Sequence, residues 1–223
     1  MKTTPILLLA ILASFAATGH AANLPLTTPI STVPVTITKP GYYYLVGNIF
    51  FTLPTITSPS AAITVNATGP VVIDMRGFTL QGQTRYHFPT NDVFPTGIMI
   101  HSNNVTVING TIEGFWNGVI ASSSTTYPTT YLTGMDLEGL TFAGTDNDGS
   151  AFSYVNNSIV RNCSYVNNYA GIDDSGSMTG NTYINDKVVG SQNPQWSFLV
   201  DAPYDSNVVY SYTAIPSIPS VLK

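Results

Sequence analysis

Four short segments of the chain are copies of one another. Gly97-Ile98-Met99-Ile100 returns as Gly118-Val119-Ile120-Ala121, as Gly149-Ser150-Ala151-Phe152 and as Gly171-Ile172-Asp173-Asp174, at offsets of 21, 31 and 22 residues. A second set interleaves with it: Gly77-Phe78-Thr79-Leu80-Gln81-Gly82, Gly110-Thr111-Ile112-Glu113-Gly114 and Gly139-Leu140-Thr141-Phe142-Ala143-Gly144. Weaker copies follow at Asn162-Cys163-Ser164-Tyr165 and Asn181-Thr182-Tyr183-Ile184. The repeated runs alternate, are rich in Val, Ile, Thr and Tyr, and end at Gly, Asn, Asp or Pro; none has a helical apolar period. A unit of roughly 22 residues without a helix cannot bury its own apolar face, so successive units must stack. This predicts an all-β parallel β-helix, in which each strand pairs with its copy one turn on, about 4.8 Å away. Ile98, Val119 and Ile172 then form one inward ladder and Ile100, Ala121 and Phe152 another. Met99, Ile120, Ala151 and Asp173 face outward.

The longer intervals mark insertions at turns. Gln83 to Pro95 is long and aromatic, and Ser122 to Thr133 is rich in Ser and Thr; loops projecting from a solenoid are where binding sites are usually built. Upstream, Val33 to Thr38 and Tyr42 to Val46 read as strands split by the Pro40-Gly41 turn. The N-terminus carries Lys2, an apolar run from Ile6 to Ala17 and the small-residue site Gly19-His20-Ala21, the pattern of a secretory signal peptide. The apolar run is shorter than the about 20 residues that span a bilayer, and no later segment approaches that length. The expected organisation is therefore a signal peptide over 1–21, capping strands over 22–60, the β-helix over 61–213 and an irregular tail over 214–223. Export implies a secreted or periplasmic protein.

Only 9% of the residues are charged and 43% are hydrophobic, which fits a packed core and argues against disorder. Seven Lys and Arg face twelve Asp and Glu. Without clustered cations, neither nucleic acid nor an anionic membrane surface is an expected partner. Cys163 is the one cysteine, so no internal disulfide forms, and its alternating surroundings predict a small buried apolar group rather than a nucleophile. Nothing in the sequence calls for more than a monomer.

The segment Thr36-Ile37-Thr38-Lys39-Pro40-Gly41-Tyr42-Tyr43-Tyr44-Leu45-Val46-Gly47-Asn48 resembles the opening of secreted bacterial right-handed parallel β-helix proteins of the pectate-lyase-like superfamily. Val71 to Gly82 and Val105 to Phe115 look like their first two coils. The resemblance extends over about residues 33 to 190, and it implies a right-handed fold and export. It does not imply one activity, because that superfamily includes polysaccharide lyases, glycoside hydrolases and adhesins.

Hydrolysis of a glycoside needs two carboxyl groups flanking the scissile bond. Thr145-Asp146 and Asp173-Asp174 are similar to fragments of polygalacturonase motifs, but no His follows His101 and no Arg-Ile-Lys occurs. A lyase would use calcium and a basic residue. Asp146-Asn147-Asp148-Gly149 offers two oxygen donors and a sharp turn, so Asp146 and Asp148 are candidate calcium ligands, with Arg161 the nearest base in sequence. The bland reading of that run is turn chemistry, and of Arg161 a solvated side chain. Asp74 and Arg76 read as a surface ion pair. Trp116, Trp196, Tyr127 and Tyr131 are candidates for stacking on sugar rings, since an amphipathic ring suits a wet binding surface. The expectation is an exported β-helix that binds a polysaccharide or cell-surface glycan, or serves as a surface scaffold, without complete catalytic machinery. The alternatives are a lyase or hydrolase acting on a uronate-containing polysaccharide, and an adhesin or envelope structural module.

Overall fold

The computed structural model describes residues 27–52, 61–83, 94–123, 131–175, 180–190 and 198–200. The described chain is all-β: no helix occurs in it, and none is long or apolar enough to cross a membrane. The chain passes back and forth between two long sheets, and every strand pairing is parallel. The first sheet has eleven strands and runs Thr27–Ile30, Gly41–Leu45, Val71–Asp74, Val105–Glu113, Asp136–Ala143, Ile159–Arg161, Thr182–Ile184, with four short strands alongside. The second has seven: Val35–Ile37, Ala61–Val65, Thr96–Ile100, Asn117–Ser122, Asp148–Ser153, Ala170–Ser175 and Phe198–Val200. Leu132–Thr133 and Val155–Asn156 make a third, two-stranded sheet. Strands consecutive within a sheet are never consecutive in the chain, an arrangement consistent with a parallel β-solenoid.

The repeat sets the register. Ile63, Ile98, Val119, Ser150 and Ile172 stand in one column of the second sheet, and Val65, Ile100, Ala121, Phe152 and Asp174 in another. All ten are buried, whereas Met99, Ile120, Ala151 and Asp173 between the columns are half-buried. Two column members are polar, and each is satisfied inside: Ser150 Oγ lies 2.9 Å from Tyr165 Oη, and Tyr183 Oη donates to Asp174 Oδ2 at 2.5 Å. Burying a hydroxyl or carboxyl without such partners would cost about 1–3 kcal/mol or more.

Corners of the first sheet follow a rule of their own. Left-handed backbone recurs at Asn104, Asn109 and Gly114, then at Gly134, Gly139 and Gly144, at Asn157, Asn162 and Asn167, and at Gly180, Asn185 and Gly190. The spacing within each pass is five residues, so three corner columns run along the stack. Asn and Gly interchange there because both tolerate positive φ. Asn66 and Asn181 lie outside this set; Asn181 accepts from Ser158 N and donates to the Val155 carbonyl. Close packing demands a different glycine, Gly118, where a Cβ would sit 2.3 Å from the Gly149 carbonyl oxygen.

Cys163 falls between two strands rather than within one. It is 1% exposed, its N–H donates to Asp186 Oδ1 and its thiol faces the Leu137 and Arg161 carbonyls. Burial pushes the thiol up to about 12, so it stays protonated and unreactive.

Candidate functional site

Just ahead of the second sheet the chain turns a corner on every pass, and the corners stack by backbone hydrogen bonds. Trp116 N donates to the Pro95 carbonyl, Asn147 N to Trp116, and Ala170 N to Asn147, while Tyr169 N donates to Thr145. Asp148 and Ala170 are register partners, and the pairing of Val119 with Ser150, carried back two residues, sets Asn117 against Asp148, so the residues before them, Trp116, Asn147 and Tyr169, form a column at the sheet's entrance. Trp116 is half-buried and its ring lies 4.4 Å from that of Phe94, which is 45% exposed; Tyr169 is 38% exposed. Neighbouring parallel strands are about 4.8 Å apart, so Trp116 and Tyr169 are separated by roughly 10 Å along the stack, with Asn147 between them.

Asn147 links this column to the carboxylates. Its Nδ2 donates to Asn117 Oδ1 at 3.0 Å and to Asp148 Oδ2 at 2.8 Å, and Asn117 Oδ1 also accepts from Asp148 N. Among the described residues Oδ1 of Asn147 takes no hydrogen bond, which leaves an acceptor on the column. Asp148 is 7% exposed. Burial, reinforced by the nearby charge of Asp173, raises its carboxyl from an ordinary 3.8 to about 7. Asp146 is half-buried beside it and bonded through its backbone to the Phe115 carbonyl.

No group of three His, Cys, Asp or Glu that could hold a metal ion occurs among the described residues.

Arg161 is not the solvated side chain expected of a turn. It lies in the first sheet and its Nη2 bonds Asp136 at 2.9 Å and Glu138 at 2.8 Å; Glu138 is its register partner and Asp136 stands opposite Ile159, two residues earlier. It is therefore engaged, and stands in a different sheet from Asp148. Nor do Asp74 and Arg76 pair. Tyr42 Oη and the Arg76 backbone N–H both donate to Asp74, while the Arg76 guanidinium lies 3.5 Å over the Tyr44 ring, a cation–π contact.

Of the aromatic candidates, Trp116 belongs to the column just described. Tyr131 is 37% exposed and packs 6.0 Å from Tyr154, whose φ of 59° is unusual for so bulky a residue. Trp196 and Tyr127 lie outside the described residues. Sequence reasoning passed over Asn147 as a contact and Tyr169 altogether, although the repeat offsets of 31 and 22, applied to Trp116, lead to both. A cavity of about 290 Å³ opens at the first pass, beside Thr28, Ile37, Lys39 and Tyr43, and touches none of the candidates.

No protein-family model, curated protein or solved structure matches this chain.

Proposed function

We propose that this chain is an exported, right-handed parallel β-helix protein that binds a polysaccharide laid along the entrance of the second sheet. The observation that carries the reading is the column Trp116, Asn147, Tyr169: ring, amide and ring at successive strand spacings, with Phe94 extending the first ring. Aromatic faces stack on the apolar faces of sugars, and an amide oxygen that takes no hydrogen bond among the described residues can accept from a hydroxyl.

A hydrolase is the second reading, favoured by Asp148. A carboxyl held protonated to about pH 7 beside a second carboxylate, Asp173, has the character of a general acid and its partner. Binding is preferred because Asp148 is almost wholly covered and its Oδ2 is tied to Asn147, while a proton donor must reach the glycosidic oxygen. A lyase is disfavoured by the engagement of Arg161.

The test is titration calorimetry of the mature chain with soluble polysaccharides, with a reducing-end and unsaturated-uronate assay on the same samples. Expected are binding without product, and a loss of about fivefold to tenfold in affinity for Trp116→Ala and for Tyr169→Ala, in line with about 1 kcal/mol per stacked ring. Product release abolished in Asp148→Asn would replace binding by hydrolysis. Binding indifferent to both ring deletions would refute the site.

A further inference from the structure

The cavity at the first pass has no part in the site above. Its volume, about 290 Å³, is close to the lower bound of about 300 Å³ for pockets that hold a small molecule. Thr27–Ile30 and Val35–Ile37 stand at the ends of the two sheets, so the cavity lies at one end of the stack, walled by residues 28–32 and 35–39 with Tyr43. Three kinds of group meet there. Ile30 and Ile37, 3% and 2% exposed, give an apolar floor. Five Ser and Thr residues, among them Thr28 and Ser31, add hydroxyls. Lys39 brings the one charge of the described lining.

The wall that carries Lys39 is held in place from three sides. Tyr43 Oη donates to the Lys39 carbonyl at 2.9 Å, Gly41 N donates to the Pro70 carbonyl, and a Cβ on Gly69 would sit 2.8 Å from Pro40 Cγ. The Lys39 ammonium makes no ion pair among the described residues. The chain holds no Asp or Glu before Asp74, so neither residues 1–26 nor residues 53–60 can bring it one. Asp74 itself accepts from Tyr42 Oη, Arg76 N and Asn109 Nδ2.

We propose that this cavity binds a small organic carboxylate with an apolar body, of the size of benzoate or hexanoate. The carboxylate meets the Lys39 ammonium and the neighbouring hydroxyls in charge-assisted hydrogen bonds, and the body lies on Ile30 and Ile37. Lys39 is exposed, so its ion pair is worth a severalfold gain in affinity, and burial of the body supplies the remainder. A neutral polyol would use the hydroxyls alone, leaving both the ammonium and the apolar floor without a counterpart. The site stands apart from the Trp116 column and does not depend on the polysaccharide reading.

The experiment is an amide NMR titration of the mature chain with benzoate and hexanoate, with benzamide and hexanamide as uncharged counterparts. Expected are shifts clustered at residues 28–43, saturating in the millimolar range, with the amides bound severalfold more weakly and the carboxylates losing ground as salt rises. Lys39→Met, which keeps the length of the stem and removes the charge from an exposed position, should cost the carboxylates severalfold and leave the amides unchanged. Amides bound as tightly as carboxylates, or carboxylate binding undiminished in a folded Lys39→Met, would overturn the anion recognition. Absence of shifts at residues 28–43 up to the solubility limit of both carboxylates would overturn the cavity as a site, and neither result would touch the Trp116 column.

Discussion

Replacing Asp148 by Asn should stabilise the protein at pH 8 and do so by less than half as much at pH 5. The carboxyl is 7% exposed and rises from 3.8 to about 7 on folding, through burial first and the charge of Asp173 second. Between about pH 4 and 7 the folded chain therefore keeps a proton that the unfolded chain has released. Stability falls as pH climbs through that window, and the full cost is felt above pH 7, where Asp148 ionises in a dry corner. Three pH units at about 1.36 kcal/mol each put the ceiling at about 4 kcal/mol. For a chain of this size that is roughly 8–16 °C in Tm. Asn has the same shape, carries no charge, and its side-chain oxygen can still accept from Asn147 Nδ2. Thermal unfolding followed by circular dichroism at half-unit steps from pH 5 to 8 reads the effect. Burial also raises Asp186, to about 6, and raises Asp136, so the variant should keep part of the wild-type slope. The difference between the two curves belongs to Asp148. If the curves run parallel from pH 5 to 8, Asp148 is ionised and hydrated in the folded state, and the dry corner behind Asn147 does not exist.

The inward register makes a paired prediction. Ile98→Asp should abolish soluble expression, because an unpaired charge in a fully buried column costs several kcal/mol, whereas Met99→Asp, one residue on and half-buried, should express and melt within a few degrees of wild type; equal behaviour of the two would refute the register. Cys163 should react slowly with a thiol reagent at pH 8 in the native state and fully in denaturant, since burial holds the thiol protonated up to about 12; rapid native labelling would refute its placement.

What the sequence disclosed, and what it hid, divides between the two sheets. The second sheet is legible because four successive strands begin alike: Gly97, Gly118, Gly149 and Gly171 mark them, and the alternation that follows each glycine tells which side is inside. The first sheet is harder to read. Its corners need left-handed backbone every five residues, but the residue that supplies it changes from Asn to Gly and back, as at Asn104, Gly134, Asn157 and Gly180. A reader looking for identity sees decaying copies, where the backbone repeats faithfully. Polar contacts between passes are less legible again. Arg161 reaches Asp136 and Glu138 across 25 and 23 residues, and only the length of each intervening pass decides whether those columns coincide. A single-residue change in a loop would move Arg161 onto different neighbours without altering the local pattern. The buried Asp174 is hidden for the same reason, because its partners Tyr183 and Asn181 come from the following pass.

That division also bears on why the Trp116 column deserves a function. Folding of the stack constrains the inward residues, the left-handed corners and glycines such as Gly118 that lie against the next strand's carbonyl. It asks little of an outward residue at a corner, where a solvated Ser, Thr or Asn would serve and where single exposed apolar side chains need no explanation. In the first sheet the outward charged residues are largely spent on one another, with Arg161 held by Asp136 and Glu138 and Asp74 held by Tyr42. At the entrance of the second sheet, rings of Phe94, Trp116 and Tyr169 remain partly open around Asn147, whose Oδ1 takes no hydrogen bond among the described residues. Surface of that composition gains nothing for the fold by staying open to water, and under the binding proposal an amphipathic ring covers it.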